Sequence, residues 1–358
     1  MTIQEKVPLA PLTTLQVGGE ARFFTEAHRE DEVAEAVKLA RARDLPLFFM
    51  GGGSNLVVAD SGWPGVVLRI AIGGISASNT NDGKAVLFSV GAGVSWDDFV
   101  AQAVVQNCAG IECLSGIPGS VGATPVQNVG AYGQEVADTI ESVRALDLPT
   151  GRIVVLPRPA CQFRYRSSIF NSSERGRYII LRVNFRLKRG GVPGLKYADI
   201  QKYFAEHFPE RQDLTKTPPS LAEVRTAVLE IRRGKAMLIV PGDEDSRSAG
   251  SFFKNPVLSE AEFTDLAQRA ATKDLTIPSY PAPSAQRKIS AAWLVEHSGF
   301  ARGYQLGAAG ISRKHALALI NRGGATAADI VQLRNEVQLG VQNAWGIRLE
   351  TEPVFVGF

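Results

Sequence analysis

Two glycine-rich stretches hold the residues best suited to chemistry with a phosphate. GGGSN, residues 51–55, places Gly51, Gly52 and Gly53 in succession. Without Cβ atoms, consecutive glycines let backbone N–H groups converge into an anion-binding nest. Ser54 and Asn55 add side-chain donors. Taken alone, the run reads equally well as a turn. The second stretch, GIPGSVGATPVQNVGAYG (residues 116–133), has eighteen residues with five glycines and two prolines. It cannot be a regular helix or strand, and long loops in compact domains are usually functional. Gly116, Gly119, Gly122, Gly130 and Gly133 suit close approach to a flat ligand or a diphosphate, and Gln127 and Asn128 offer amides there. No GxGxxG follows a strand, and GxxxxGK[ST], GxSxG and HExxH are absent, so the common nucleotide, hydrolase and zinc-protease fingerprints do not apply.

The elements that must position these loops follow from periodicity. EDEVAEAVKLARARD carries Val33, Val37 and Ala40 at helical spacing, with Pro46 soon after. LFFM reads as a buried strand running into GGGSN, an α/β opening. VVLRI, VLFSVGAG and RYIILRVNFRLKRG read as strands, and SWDDFVAQAVVQNC as a helix with Ser95 and Asp98 spaced as a capping box. Texture loosens over residues 190–220, where a polar helix lies between GGVPG and TKTPPS. Helical periodicity restarts at Leu221, Val224, Val228 and Ile231. A last helix has Thr326 and Asp329 at its cap, a stripe at Ile330, Leu333, Val337 and Val341, and Gly346 as its stop.

At 358 residues the chain exceeds one typical core, so two or three modules are expected. The net charge of +3 gives no reason to expect nucleic acid or membrane partners. Cys108, Cys113 and Cys161 form no CxxC pair, which argues against a metal site and a disulfide framework. The N-terminus is too polar for a signal peptide, and no stretch approaches the roughly 18 apolar residues of a spanning helix. A cytoplasmic protein is expected.

With these residues in view, the chain resembles the UDP-N-acetylenolpyruvoylglucosamine reductase family of peptidoglycan synthesis. TTLQVGGEARFF, GGGSN, GIPGSVGATPVQNVGAYG, CQFRYRSSIF, SAGSFFKNP, AAWLVEHSGF and LETEPVFVG are similar to that family's segments, in its order. The resemblance implies an α+β fold of three modules, two of them forming an FAD-binding unit of the vanillyl-alcohol-oxidase (PCMH) type. The expected divisions are 1–75, 76–219, a substrate-binding domain 220–346, and a terminal strand 347–358 carrying Glu352. It implies FAD held by Gly51 to Asn55 and by Gly116, Ile117, Pro118, Gly119, Gly122, Ala123, Gln127, Asn128, Gly130, Ala131, Tyr132 and Gly133. None of the four histidines lies in these loops, so the flavin is expected to be noncovalent.

The implied reaction is reduction of UDP-N-acetylglucosamine enolpyruvate by NADPH through FAD. It builds an enolate that must be stabilised and then protonated. By resemblance, Arg166 grips the substrate carboxylate, Ser251 is the proton donor, and Glu352 either donates to the forming enol or orients Arg166. Tyr197 matches the tyrosine that closes over the substrate diphosphate in the subtype possessing that loop. Lys235, Asn255 and His315 match substrate contacts. Read without the family, Arg166 is a surface arginine, Ser251 caps a turn and Glu352 is an exposed acid. AMLIVPGDEDSRS, between Lys235 and Ser251, departs from the shortest family pattern; its acidic run reads as a surface turn, and Arg232 or Arg233 is an alternative to Lys235. No metal and no obligate protein partner is expected. Two rival readings are another flavin oxidoreductase of the superfamily and a noncatalytic flavin- or nucleotide-binding regulator.

Overall fold

Apolar spacing near the N-terminus produces α1 (Glu30–Ala42), which buries Val33, Ala36, Val37 and Ala40. Its N-cap is unusual in that Arg29 stands where Ser or Asp is common. The Glu32 carboxylate instead accepts from the backbone N–H groups of His28 and Arg29 at 2.7 and 3.2 Å. The computed structural model describes residues 1–211 and 213–358 and divides the chain into two compact units. The first comprises residues 1–7, 21–53 and 63–234, and the second residues 8–20, 54–62 and 235–358.

In the first unit, α1 connects Glu20–Ala27 to Leu47–Met50 in a four-stranded sheet ordered Gln4–Pro8, Glu20–Ala27, Trp63–Ile70, Leu47–Met50. The last three run parallel. A six-stranded antiparallel sheet is built around Tyr178–Arg189, which pairs with Ile140–Asp147 and Ala85–Gly91. The helix α2 (Trp96–Val105) packs on it through aromatic rings: Phe99 lies 5.0 Å from Phe185 and 5.5 Å from Phe88 between centroids. Ser95 caps this helix by accepting the Asp98 N–H at 3.4 Å. The helices α3 (Ala198–His207) and α4 (Leu221–Gly234) share a small core of Ile200, Phe204, Val224, Ala227, Val228 and Cys113.

The second unit holds α5 (Glu260–Ala271), α6 (Ala291–Glu296) and α7 (Ala327–Trp345). A four-stranded antiparallel sheet is ordered Ser248–Ser251, Ala318–Asn321, Ala309–Ile311, Gln305–Leu306. A three-stranded sheet stands beside α5, and Leu56–Val58 runs parallel to Val354–Val356. Core positions Ile330, Leu333, Val337, Val341 and Trp345 on α7 join Leu15, Val17 and Val57 in one cluster. The start of α7 is held twice: Thr326 and Asp329 form a reciprocal capping box, and the Asp60 carboxylate accepts from Ala327 and Ala328 N–H at 2.8 and 3.0 Å.

The fold is α+β, and the residues expected in the two cofactor modules fall chiefly in the first unit. The first unit extends through α4, whose Leu221, Val224, Ala227 and Val228 bury against first-unit residues. Among the described residues, no helix is long and apolar enough to cross a membrane.

Candidate active site

The two glycine stretches meet in the first unit. A Cβ built on Gly51 would stand 2.2 Å from Ser120 Oγ, and one on Gly52 would stand 2.8 Å from the Cα of Gly119. Glycine is therefore required by contact between the loops themselves. At this seam the Ser120 hydroxyl is buried and has no hydrogen-bond partner among the described residues. A buried hydroxyl left unpaired costs roughly 1–3 kcal/mol, so its place between two glycine runs fits a ligand oxygen such as that of a dinucleotide diphosphate. Gly51, Gly52 and Gly53 belong to the first unit, and Ser54 and Asn55 to the second.

Arg166 is brought to the second glycine loop by a tight hairpin. Arg164 and Ser167 exchange backbone hydrogen bonds at 2.9 and 3.1 Å, which throws Arg166 into the left-handed region at φ 52°. Its Nη2 donates to the Gly130 carbonyl at 2.8 Å. Asn128 and Tyr132 on the loop are left-handed too, at φ 45° and 48°. Such non-glycine residues cost about 1–3 kcal/mol each and persist only where the surroundings over-determine them. The surroundings of Asn128 do so: at 1 % exposure, its amide donates to Glu135 Oε2 at 2.8 Å and to the Arg164 carbonyl at 3.0 Å, and accepts from Ala137 N–H at 3.1 Å. Its side chain thus joins loop and hairpin from within.

Tyr132 and Tyr197 also come together, edge to face at 5.3 Å between centroids. Tyr197 is the N-cap of α3 and is 44 % exposed. Burial, offset in part by the neighbouring Arg232, pushes the Tyr132 hydroxyl up to about 12, so it stays protonated. Gly122 and Ala123 form a 3-10 turn after Ser120, while Gly130 and Ala131 pair with Gln134 and Glu135 in a short hairpin around Tyr132 and Gly133.

Ser251 and Glu352 lie in the second unit. Ser251 ends a strand opposite Ala318 rather than capping a turn. The N–H of Glu352 donates to the Phe252 carbonyl at 2.9 Å, and the Asn55 amide donates to the Glu352 carbonyl at 3.2 Å. Ser251, Asn55 and Glu352 are therefore held in one register. Asn255 accepts the Ala291 N–H at 2.9 Å, which ties its Oδ1 to the start of α6. His315 accepts the Leu317 N–H at Nδ1, fixing its proton on Nε2. Burial chiefly, then the cations Lys235 and Arg302, pushes His315 down to about 4.

The acidic run of residues 243–245 is built into this unit rather than forming a bare surface turn. Asp243 pairs with Lys314 at 2.6 Å, Glu244 pairs with Arg313, and buried Asp245 accepts the Arg313 N–H at 3.1 Å. These contacts brace the segment carrying His315.

Sequence reasoning missed three positions. Ser120 stood within the loop but was passed over for the glycines. Asp97 accepts the Gly116 N–H at 2.6 Å, so that N–H is engaged inside the protein. Glu112, with 0 % exposure, accepts N–H groups from Gly110, Gly194 and the Gln134 amide at 2.7, 2.8 and 2.7 Å. A single acid inside the apolar run AGIECL was the available signal for Glu112, since lone buried carboxylates need strong donors.

Known proteins match along the whole length. An FAD-binding domain profile matches residues 21–157, and that of the UDP-N-acetylenolpyruvoylglucosamine reductase C-terminal domain matches residues 242–356. The UDP-N-acetylenolpyruvoylglucosamine reductase of Thermobifida fusca is 44 % identical over 98 % of this chain and 97 % of its own. That of Streptomyces avermitilis is 46 % identical over 98 % and 94 %. The crystal structure of UDP-N-acetylenolpyruvylglucosamine reductase from Thermus caldophilus superposes with a TM-score of 0.65 at 25 % identity, covering 99 % of this chain and 100 % of that one. An α+β fold with an FAD-binding domain and glycine loops meeting at an orphaned hydroxyl defines a flavin-dependent oxidoreductase. With relatives this similar over nearly all of both chains, the protein belongs to the UDP-N-acetylenolpyruvoylglucosamine reductase family.

Proposed function

We propose that Arg166, Ser251 and Glu352 carry out the chemistry of this family in this chain. The protein is an FAD-dependent reductase that converts UDP-N-acetylglucosamine enolpyruvate to UDP-N-acetylmuramate with NADPH as reductant, a step of peptidoglycan precursor synthesis. The chemistry FAD supplies when bound is the relay of hydride from NADPH to the enolpyruvyl double bond. Gly51 to Asn55 and the loop of residues 116–133, with the Ser120 hydroxyl, would hold it.

The residues supply charge stabilisation and a proton. Arg166 pairs its guanidinium fork with the substrate carboxylate, into which the enolate charge delocalises. The hydrogen bond from its Nη2 to Gly130 aims that fork. Ser251 gives its hydroxyl proton to the enolate carbon, a strong base that a weak acid can serve. Glu352, whose backbone is tied to the residue after Ser251, is the third member of the trio, donating to the forming enol when protonated or orienting Arg166 when ionised. Tyr197 covers the substrate diphosphate, while Lys235, Asn255 and His315 contact the sugar nucleotide. The neutral His315, with its proton fixed on Nε2, offers a donor without adding charge. We read the enzyme as cytoplasmic and as working without an obligate protein partner.

The observation that carries this reading is the Glu352-to-Phe252 backbone hydrogen bond, which sets Glu352 in register with the strand end that carries Ser251. The test is anaerobic. NADPH should bleach the yellow protein, and UDP-N-acetylglucosamine enolpyruvate should restore the colour as the lactyl ether forms. Bleaching without recovery would overturn the substrate assignment.

A further inference from the structure

We propose that α4 is a clamp on the cofactor loop, with Asp97 and Arg225 as positioning residues for flavin binding. The helix presents Arg225 and Arg232 two turns apart, hence on one face. Arg225 Nη1 and Nη2 donate to the two Asp97 carboxylate oxygens at 2.6 and 2.8 Å, a paired fork. Asp97 Oδ1 also accepts from Gly116 at 2.6 Å, so Arg225 fixes the loop's first glycine through one carboxylate. Arg232, 8 % exposed, hydrogen-bonds Tyr132 near the loop's other end. One rigid helix face therefore holds both ends of an eighteen-residue segment containing five glycines.

That segment has much conformational freedom to lose when it binds a ligand. Anchoring its ends before binding removes part of this cost. The charge state of Asp97 supports such a clamp. Burial pushes its carboxyl up, but the Arg225 and Gly116 hydrogen bonds outweigh burial and leave it below its ordinary value. The inference rests on the reading that this loop holds FAD.

The test uses holoenzyme of Asp97→Asn, Arg225→Gln and the double variant. FAD dissociation constants are read from flavin fluorescence on dilution, beside the visible circular dichroism of the bound flavin. Each single variant should weaken FAD binding about tenfold to a hundredfold, as expected for loss of a charged hydrogen bond. The double variant should be no weaker than the worse single, because both act through one network. Unchanged FAD affinity in both singles, or losses that add in the double, would overturn the clamp. Should Asp97→Asn fail to fold, Arg225→Lys keeps the charge without the fork. An affinity between those of wild type and Arg225→Gln supports the clamp, and wild-type affinity overturns it. Wild-type protein that binds no FAD would sink the loop reading and the clamp together, whereas wild-type binding with unaffected variants sinks the clamp alone.

Discussion

The backbone N–H of Glu352 donates to the carbonyl of Phe252 at 2.9 Å, the residue directly after Ser251. Phe253 bridges Thr351, and Lys254 N–H donates to the Glu350 carbonyl at 2.9 Å, so the two segments are in register over several residues. Neither side chain can slip along the chain without breaking these ties. Removing the hydroxyl with Ser251→Ala should leave bleaching by NADPH at wild-type speed and slow substrate reduction by about 10²-fold or more, the lower range for general acid catalysis. Stopped-flow absorbance resolves the two half-reactions. Equal speeds in both would make Ser251 structural.

Arg166→Lys tests whether the fork, rather than charge alone, is needed. The lysine keeps the cation but gives one point donor, and it loses the bond to Gly130. Turnover should fall by about 10²–10³, the usual cost of removing a charge-stabilising donor. Steady-state kinetics within severalfold of wild type would remove Arg166 from the chemistry.

The seam between the glycine loops predicts two different responses to alanine. The new methyl of Gly51→Ala meets the Ser120 hydroxyl, a side-chain end, while that of Gly52→Ala meets the Gly119 backbone. Overpacking of this kind costs typically about 1–3 kcal/mol. Adding Ser120→Ala should restore the melting temperature of Gly51→Ala and leave that of Gly52→Ala depressed. Equal rescue of both would contradict this packing.

His315 links stability to pH. Its folded-state value of about 4 lies below the ordinary 6.5, so the unfolded chain binds the proton more tightly. The contribution is intact above 6.5 and is lost as pH falls toward 4. Melting temperatures of wild type and His315→Gln, followed across that window, should converge on acidification. Parallel curves would show that His315 titrates normally.

Local structure was legible wherever spacing and caps agreed. The α7 stripe at Ile330, Leu333, Val337 and Val341 is buried as its period requires, and Gly346 closes the helix in the left-handed region at φ 74°. The strand LFFM and the helix starting after Ser95 also stand where periodicity places them. What periodicity could not carry were pairings between distant segments. Asp97 reads as an ordinary first-turn acid of α2, and nothing near it names Arg225. Glu112 reads as one polar break in an apolar run, because two of its three donors, Gln134 and Gly194, come from distant segments. The roles of Arg166, Ser251 and Glu352 came from resemblance, since a lone arginine, serine or glutamate carries no period.

The parallel pairing of Leu56–Val58 with Val354–Val356 has a consequence for biosynthesis. A ribosome makes the first strand long before its partner, which lies far downstream in the chain. Leu15, Val17 and Val57 likewise wait for α7 before their shared core can close. The first unit can mature while the chain is still growing, but the second stays open until α7 and the strand Val354–Val356 have been made. A nascent chain stalled before residue 327 would expose these early apolar side chains, which makes limited proteolysis of stalled ribosome complexes a direct view of that order.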